Sequence, residues 1–243
     1  MALTALAALI PAIPIAIGIG IGIGAGGGGG AAARPLSLTA LSAETRGASL
    51  RSTSSLSPLW PSSLPAGRGA LVAVVLHGTT MRAAPRGRPI APVWTRTGFG
   101  SSDVLWVVDR VPGWLGVIGT AAGNGRVGWI PASAASLDRV AWELKVSLSA
   151  RRVTVIDAGK VLQRYTVAVG APDSPTPTGR FEVTDRLATG DPTGSYGCCI
   201  LALSAHSPHA IQDWSGGDRI AIHSTPESSS IGHPVSHGCM RLT

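Results

Sequence analysis

Apolar and polar residues alternate along this chain in short runs, and Gly, Pro and paired turn residues separate the runs. That spacing predicts strands, not amphipathic helices. Residues 71–76 (LVAVVL) read as a buried strand. Residues 104–108 (VLWVV), 113–117 (GWLGV) and 127–130 read as three more, with Asn124-Gly125 before the last of them. That pair favours a type I′ hairpin turn. Further on, residues 142–148 alternate, and residues 153–156 (VTVI) are placed to pair with residues 161–169 across the turn Asp157-Ala158-Gly159-Lys160. The run PTPTG at residues 175–179 is a rigid turn entering a strand at 181–184, and residues 199–203 and 219–223 are short apolar strands. The expected fold is mainly β, in two units covering residues 68–136 and 142–243.

The first unit concentrates Trp94, Trp106, Trp114 and Trp129 among its Gly and Pro turns and resembles a bacterial SH3-like small barrel. What precedes it differs in kind. Residues 1–33 carry no charge, and residues 2–24 are apolar over a length that spans a bilayer. Alternating Ile and Gly at 17–24, after Pro11 and Pro14, make a poor soluble helix. Ala31-Ala32-Ala33 then offers the small residues of a signal-peptidase site. Residues 1–33 are therefore expected to be a signal peptide or membrane anchor. No Lys or Arg precedes the apolar run, and Arg34 and Arg46 follow it. A start upstream of Met1 that carried basic residues would reconcile this with export. Residues 34–67, rich in Ser, Pro, Ala and Leu, are expected to be a flexible linker.

Composition narrows the class. With 32 Gly and 18 Pro in 243 residues, a helix bundle is excluded, and no repeat of solenoid period is present. The formal charge is +7, and 18 of the 20 basic residues are Arg. That balance suits an anionic partner such as nucleic acid, membrane or an acidic wall polymer. The Arg residues are dispersed and not interleaved with aromatics, which argues against nucleic acid. Three cysteines, Cys198, Cys199 and Cys239, cannot all pair, so at least one thiol stays free unless chains pair. Cys198 and Cys199, read as the start of a strand, are expected to face opposite ways.

The chemistry lies in residues 222–243, IHSTPESSSIGHPVSHGCMRLT. Cys239 follows His237 and Gly238 and precedes Arg241, and His223 ends a strand sixteen residues earlier. Only a thiolate is a useful nucleophile, and it needs a base, a positive charge or N–H donors. Gly238 permits a loop whose successive N–H groups point inward, toward a thiolate or the oxyanion of a tetrahedral intermediate. His223 is the candidate base, and a backbone carbonyl is sufficient to hold its tautomer. Arg241 offers a planar fork for a substrate carboxylate.

This run resembles the signature of the L,D-transpeptidase (YkuD-type) catalytic domain: a His, about a dozen residues, then Ser/Thr-His-Gly-Cys, an apolar residue and Arg. His223, Ser236, His237, Gly238, Cys239 and Arg241 occupy those positions. Val169-Gly170 followed by PTPTGRF, and SYGCCILALSAH at 195–206, reinforce the resemblance over residues 142–243. It implies a β-rich catalytic domain with Cys239 as nucleophile and His223 as general base and later acid. It also implies that the Ser224 carbonyl orients His223, and that the N–H groups of His237, Gly238 and Cys239 form the oxyanion hole. Arg241, Ser236 and Tyr196 become candidates for substrate binding. The implied partners are peptidoglycan stem peptides, with carbapenem-type β-lactams as covalent inhibitors. The implied reaction releases terminal D-Ala through a Cys thioester and forms 3→3 cross-links outside the membrane. No cofactor is implied, no nucleic-acid partner is expected, and membrane contact is expected only through the N-terminal segment. Family members continue beyond the motif, so a chain ending at Thr243 is expected to be truncated.

Three other readings stay open on residues alone. Water in place of the acceptor amine gives an L,D-carboxypeptidase. A hydrolytic zinc site would use His223, His237 and Cys239, though no HExxH or paired CxxC accompanies them. A catalytically inert wall-binding module would rest on the first unit. His206 and His209 are expected on a loop surface rather than on a metal, and His233 is expected to be exposed.

Overall fold

The computed structural model describes residues 18–20, 68–208 and 217–243. The expected signal peptide or anchor (1–33) and linker (34–67) lie outside the described residues, apart from the strand β1 (Gly18–Gly20). Among the described residues, no helix is long and apolar enough to cross a membrane.

Seven antiparallel strands follow: β2 (Ala70–Val75), β3 (Thr79–Arg82), β4 (Pro89–Val93), β5 (Val104–Val111), β6 (Trp114–Ile118), β7 (Gly128–Pro131) and β8 (Ala135–Val140). Their spatial order is β4-β3-β7-β6-β5-β2-β8. The two edge strands, β4 and β8, do not pair with each other, so the sheet of this unit, for which an SH3-like small barrel is expected, is not closed. The sheet instead folds its inward residues, among them Val75, Met81, Val93, Leu105, Leu115 and Ile130, onto one apolar core. The strands on either side of Asn124-Gly125 do pair, β6 antiparallel to β7, but not through the expected type I′ turn. Residues 119–127, including a 3-10 turn at Thr120–Ala122, separate β6 from β7, and Asn124 does not adopt the positive φ that a type I′ turn requires. Its side chain serves another purpose: the amide donates to His206 O at 2.6 Å and accepts from His206 N–H at 2.8 Å, linking the two units.

The second unit opens with β9 (Trp142–Ser147), β10 (Arg152–Asp157) and β11 (Lys160–Thr166), an antiparallel meander to which β1 adds in parallel. Asp157 pairs with Lys160 across the expected turn, where Ala158 and Gly159 take φ of 48° and 85°. There follow β12 (Val169–Gly170), β13 (Val183–Ala188), β14 (Cys199–His206), β15 (Arg219–Ser224), β16 (Pro234–Ser236) and β17 (Met240–Leu242). The strand expected from residue 181 begins at Val183, with Phe181 and Glu182 buried ahead of it.

Strands β13-β14-β15-β17 form the sheet that positions the site, and its two faces do different things. Alternate residues Leu201, Leu203, Ile220, Ile222, Met240 and Leu242 enter the main core with β9 and β10. The opposite face carries Ile200, Ala202, Ala221 and Cys239, packed against Tyr196, Leu187 and Phe99 of the first unit.

Candidate active site

β15 and β17 run parallel, with Ile222 opposite Met240 and His223 opposite Arg241. Residues two apart on a strand share a face. Because Ile222 and Met240 point into the core, His223, Cys239 and Arg241 stand together on the opposite face. β17 is held on its other side by Ala168, whose N–H and C=O exchange hydrogen bonds with Arg241 at 3.0 and 3.1 Å. The thiol and imidazole are thus brought onto one face by strand register, from positions sixteen residues apart.

Each candidate residue has a definite setting. His223 is buried, and its Nδ1 lies 2.7 Å from Ser224 O. A carbonyl only accepts, so Nδ1 carries the proton and Nε2 of the neutral ring is left with a lone pair. Burial lowers the His223 pKa to about 4, while the Ser224 hydrogen bond opposes the shift and the Arg241 charge adds to it. The Tyr196 ring covers the imidazole, centroid to centroid at 4.7 Å with the planes tilted by 57°. The Tyr196 carbonyl accepts from Ser224 Oγ at 3.2 Å.

Cys239 is 5% exposed, and burial raises its thiol to about 11, against smaller opposing effects of the Ala221 backbone and Arg241. The sequence expectation of a thiolate stabilised by loop N–H groups is not met at rest. The expected oxyanion hole is also smaller. Gly238, at φ +111°, gives its N–H to Ser236 Oγ at 3.2 Å. The N–H groups of His237 and Cys239 have no hydrogen-bond partner among the described residues.

Ser236, a candidate for substrate binding, is turned inward. It is 1% exposed, and its hydroxyl donates to Cys239 O at 2.5 Å, so it shapes the loop. Arg241 Nη1 reaches Glu227 Oε2 at 3.2 Å, so part of its fork is already engaged within the chain. His237 and His233 are exposed.

Among the described residues, no three His, Cys, Asp or Glu side chains gather as a metal would require. The zinc alternative from His223, His237 and Cys239 is therefore not assembled. His206 ends β14 and binds Asp218 Oδ1 and Thr120 O, each at 2.9 Å, so it joins the two units instead of lying on a loop surface; His209 lies outside the described residues. Cys198 and Cys199 are joined as a disulfide, against the expectation that they face opposite ways. Cys198 sits in the turn before β14, where strand alternation does not apply. Ser224 Oγ lies 3.6 Å from Cys198 Sγ, which sets this pair beside the His223 support.

Two contributors escaped the sequence reading. Thr176, in the PTPTG turn, hydrogen-bonds the Cys239 loop at Gly238 O. Phe99, from the other unit, walls the face that carries Cys239. The motif marked the turn as a strand entry, and nothing in the sequence ties Phe99 to it.

Solved structures similar to the chain include an L,D-transpeptidase in complex with imipenem, 21% identical with a TM-score of 0.36. L,D-transpeptidase 3 of Mycobacterium tuberculosis with a faropenem-derived adduct is 19% identical, with a TM-score of 0.38. Each similarity covers 75% of this chain and 88% of the other. In sequence, the chain is 31% identical over 103 residues to the Bacillus subtilis protein named as the L,D-transpeptidase YkuD, covering 42% of this chain and 54% of that protein. It is 36% identical over 108 residues to L,D-transpeptidase 1 of Mycobacterium tuberculosis, covering 40% of each. The chain thus spans about half or less of these relatives' length. Residues 142–243 match the family of the L,D-transpeptidase catalytic domain, YkuD. Together with the placement of His223 and Cys239 on one face of β15 and β17, this match makes residues 142–243 an L,D-transpeptidase catalytic domain of the YkuD family.

Proposed function

We propose that the protein is a peptidoglycan L,D-transpeptidase that works through a thioester on Cys239. The carrying observation is the shared face of His223 and Cys239, with His223 Nδ1 committed to Ser224 O and Nε2 left as the base. Nε2 takes the thiol proton as Sγ attacks the carbonyl of the third residue of a stem peptide. The carbonyl oxygen becomes an oxyanion, received by the Cys239 N–H and then the His237 N–H. Collapse breaks the amide bond, and His223 returns its proton to the departing terminal D-Ala amine. The side-chain amine of a neighbouring stem then attacks the thioester, His223 accepts its proton, and the thiol is regenerated as a 3→3 amide forms. One amide replaces another, so the exchange is close to isoenergetic and needs no nucleotide, which suits the space outside the membrane.

Arg241 sits beside this path on β17 and is suited to a stem carboxylate once the exposed Glu227 yields. The basic chain, at +7, suits an anionic wall. Export by residues 1–33, cleaved or retained as an anchor, belongs to the same proposal.

The full chain, incubated with a tetrapeptide stem, should release D-Ala and yield a cross-linked dimer detected by mass spectrometry. Cys239→Ala should yield neither. Turnover that a chelator abolishes and thiol alkylation spares would overturn the proposal. Release of D-Ala without any dimer at high acceptor concentration would place the protein among carboxypeptidases.

A further inference from the structure

The loop that carries the nucleophile is tethered by two buried hydroxyls, and one of them comes from a distant segment that the reaction above does not use. Ser236 Oγ donates to Cys239 O. Thr176, 5% exposed, donates to Gly238 O at 2.8 Å and accepts from Gly170 N–H at 2.9 Å. The surrounding fit is close. A Cβ on Gly170 would lie 2.4 Å from both Ser174 O and Thr176 N, and a Cβ on Gly238 would lie 2.8 Å from Ile220 Cδ1. No side chain larger than hydrogen fits between the turn and the strand it locks to.

The Thr176 bond has a consequence for Cys239. Gly238 C=O and Cys239 N–H belong to one peptide unit, which is planar and resists twisting. Fixing the oxygen therefore fixes the N–H, which points the opposite way, away from the turn. Gly238, free of Cβ constraints and at φ +111°, would otherwise let this peptide rotate. The Cys239 N–H so directed has no partner among the described residues, whereas the Gly238 N–H is taken by Ser236.

We propose that Thr176 is a positioning residue for acyl transfer: its hydroxyl holds the Gly238–Cys239 peptide so that the Cys239 N–H receives the oxyanion. This rests on the transpeptidase reading above. Thr176 touches no substrate and acts through the peptide it tethers.

The test compares Thr176→Val, which keeps the shape and loses the hydroxyl, with Thr176→Ser, which keeps the hydroxyl. Measured on the full chain are kcat and KM for D-Ala release, the imipenem acylation rate, and the iodoacetamide alkylation rate of Cys239, a reaction that forms no oxyanion. A missing oxyanion donor costs about 10²–10³ in kcat, and a misdirected one is expected to cost about tenfold or more. T176V should therefore lose at least about tenfold in kcat and acylation with KM and alkylation close to wild type, and T176S should recover most of the loss. Wild-type kcat in folded T176V, an equal loss in T176S, or a parallel fall in alkylation overturns the proposal. Independently of any variant folding, imipenem acylation of the wild type should shift the amide resonance of Cys239 and spare that of Gly238; the reverse pattern overturns it. A wild-type chain that takes no adduct at all refutes the transpeptidase reading itself. An adduct on the wild type with T176V unimpaired refutes only the positioning role.

Discussion

His223 and Cys239 rest as a neutral imidazole and a neutral thiol, and the cause is burial of both. Two pH dependences follow. A base with its pKa lowered to about 4 is already unprotonated above that pH, so the acid limb of kcat/KM should fall near 4 and not near the ordinary 6.5. The thiol, raised to about 11, should react with iodoacetamide slowly at neutral pH and about tenfold faster per pH unit up to that region. An alkylation rate already flat at pH 7 would show an ionised thiolate and contradict this. Replacing His223 by Ala should lower kcat by about 10²–10⁴, the usual worth of base assistance, measured as D-Ala release with unchanged folding. The identities of this pair, and the Ser224 carbonyl beside His223, were legible in the motif. The burial was not, because exposure of one loop depends on which distant segments pack over it. Ser236 shows the same limit: a serine in a motif reads equally as a ligand contact or as an internal tether, and only its 1% exposure decides.

At the scale of elements, strand alternation was the readable signal. β2, β9, β10, β14 and β15 stand close to where apolar runs placed them, and the Asp157–Lys160 turn sits where its Gly predicted. The type I′ turn at Asn124-Gly125 did not form, although β6 and β7 pair across it, because the pair is only a local preference; here the Asn amide pairs with the His206 backbone and the connection is longer. Cys198 failed because it stands one residue outside its strand. What could not be read at all was register: that β17 lies parallel to β15, with Cys239 on the His223 face, is a non-local pairing. That pairing makes the core side of the two strands functional as well as structural. Ile222 is fully buried opposite Met240. Ile222→Ala should cost about 2–5 kcal/mol of unfolding free energy, by denaturant titration. It should also reduce D-Ala release in the still-folded fraction, since slippage of β15 moves His223. A stable, fully active I222A would mean that the site does not depend on this packing.

The whole molecule is joined by polar groups, which the hydrophobic pattern cannot show. Glu182 is fully buried and accepts the Trp106 N–H at 2.9 Å. The Thr97 hydroxyl donates to buried Asp185 at 2.5 Å. Asp103 and Arg219 complete the cluster, so three carboxylates share one guanidinium, which donates hydrogen bonds to Leu203 O and the Thr184 hydroxyl. Burial, then repulsion from Asp185, raises Asp103 to about 6, and burial raises Glu182 well above its usual value. Asp103 binds more protons folded than unfolded between its unfolded value of 3.8 and about 6, so its stabilising contribution is complete below 3.8 and is lost as pH rises through 6. Asp103→Asn should accordingly raise stability at pH 7.5 by about 1–2 kcal/mol, with the gain vanishing toward pH 4. Thermal melts of the two proteins across that range would show it, and a gain independent of pH would contradict it. Phe99, carried by the same unit to the face of Cys239, makes this junction part of the site's surroundings.

The most direct test of the central claim is intact-protein mass spectrometry of the folded chain with imipenem, followed by peptide mapping. One adduct on Cys239, formed on the wild type and slowed by orders of magnitude in His223→Ala, is the predicted result. No adduct on protein whose Cys239 still takes iodoacetamide, or an adduct that forms equally fast without the imidazole, would contradict it.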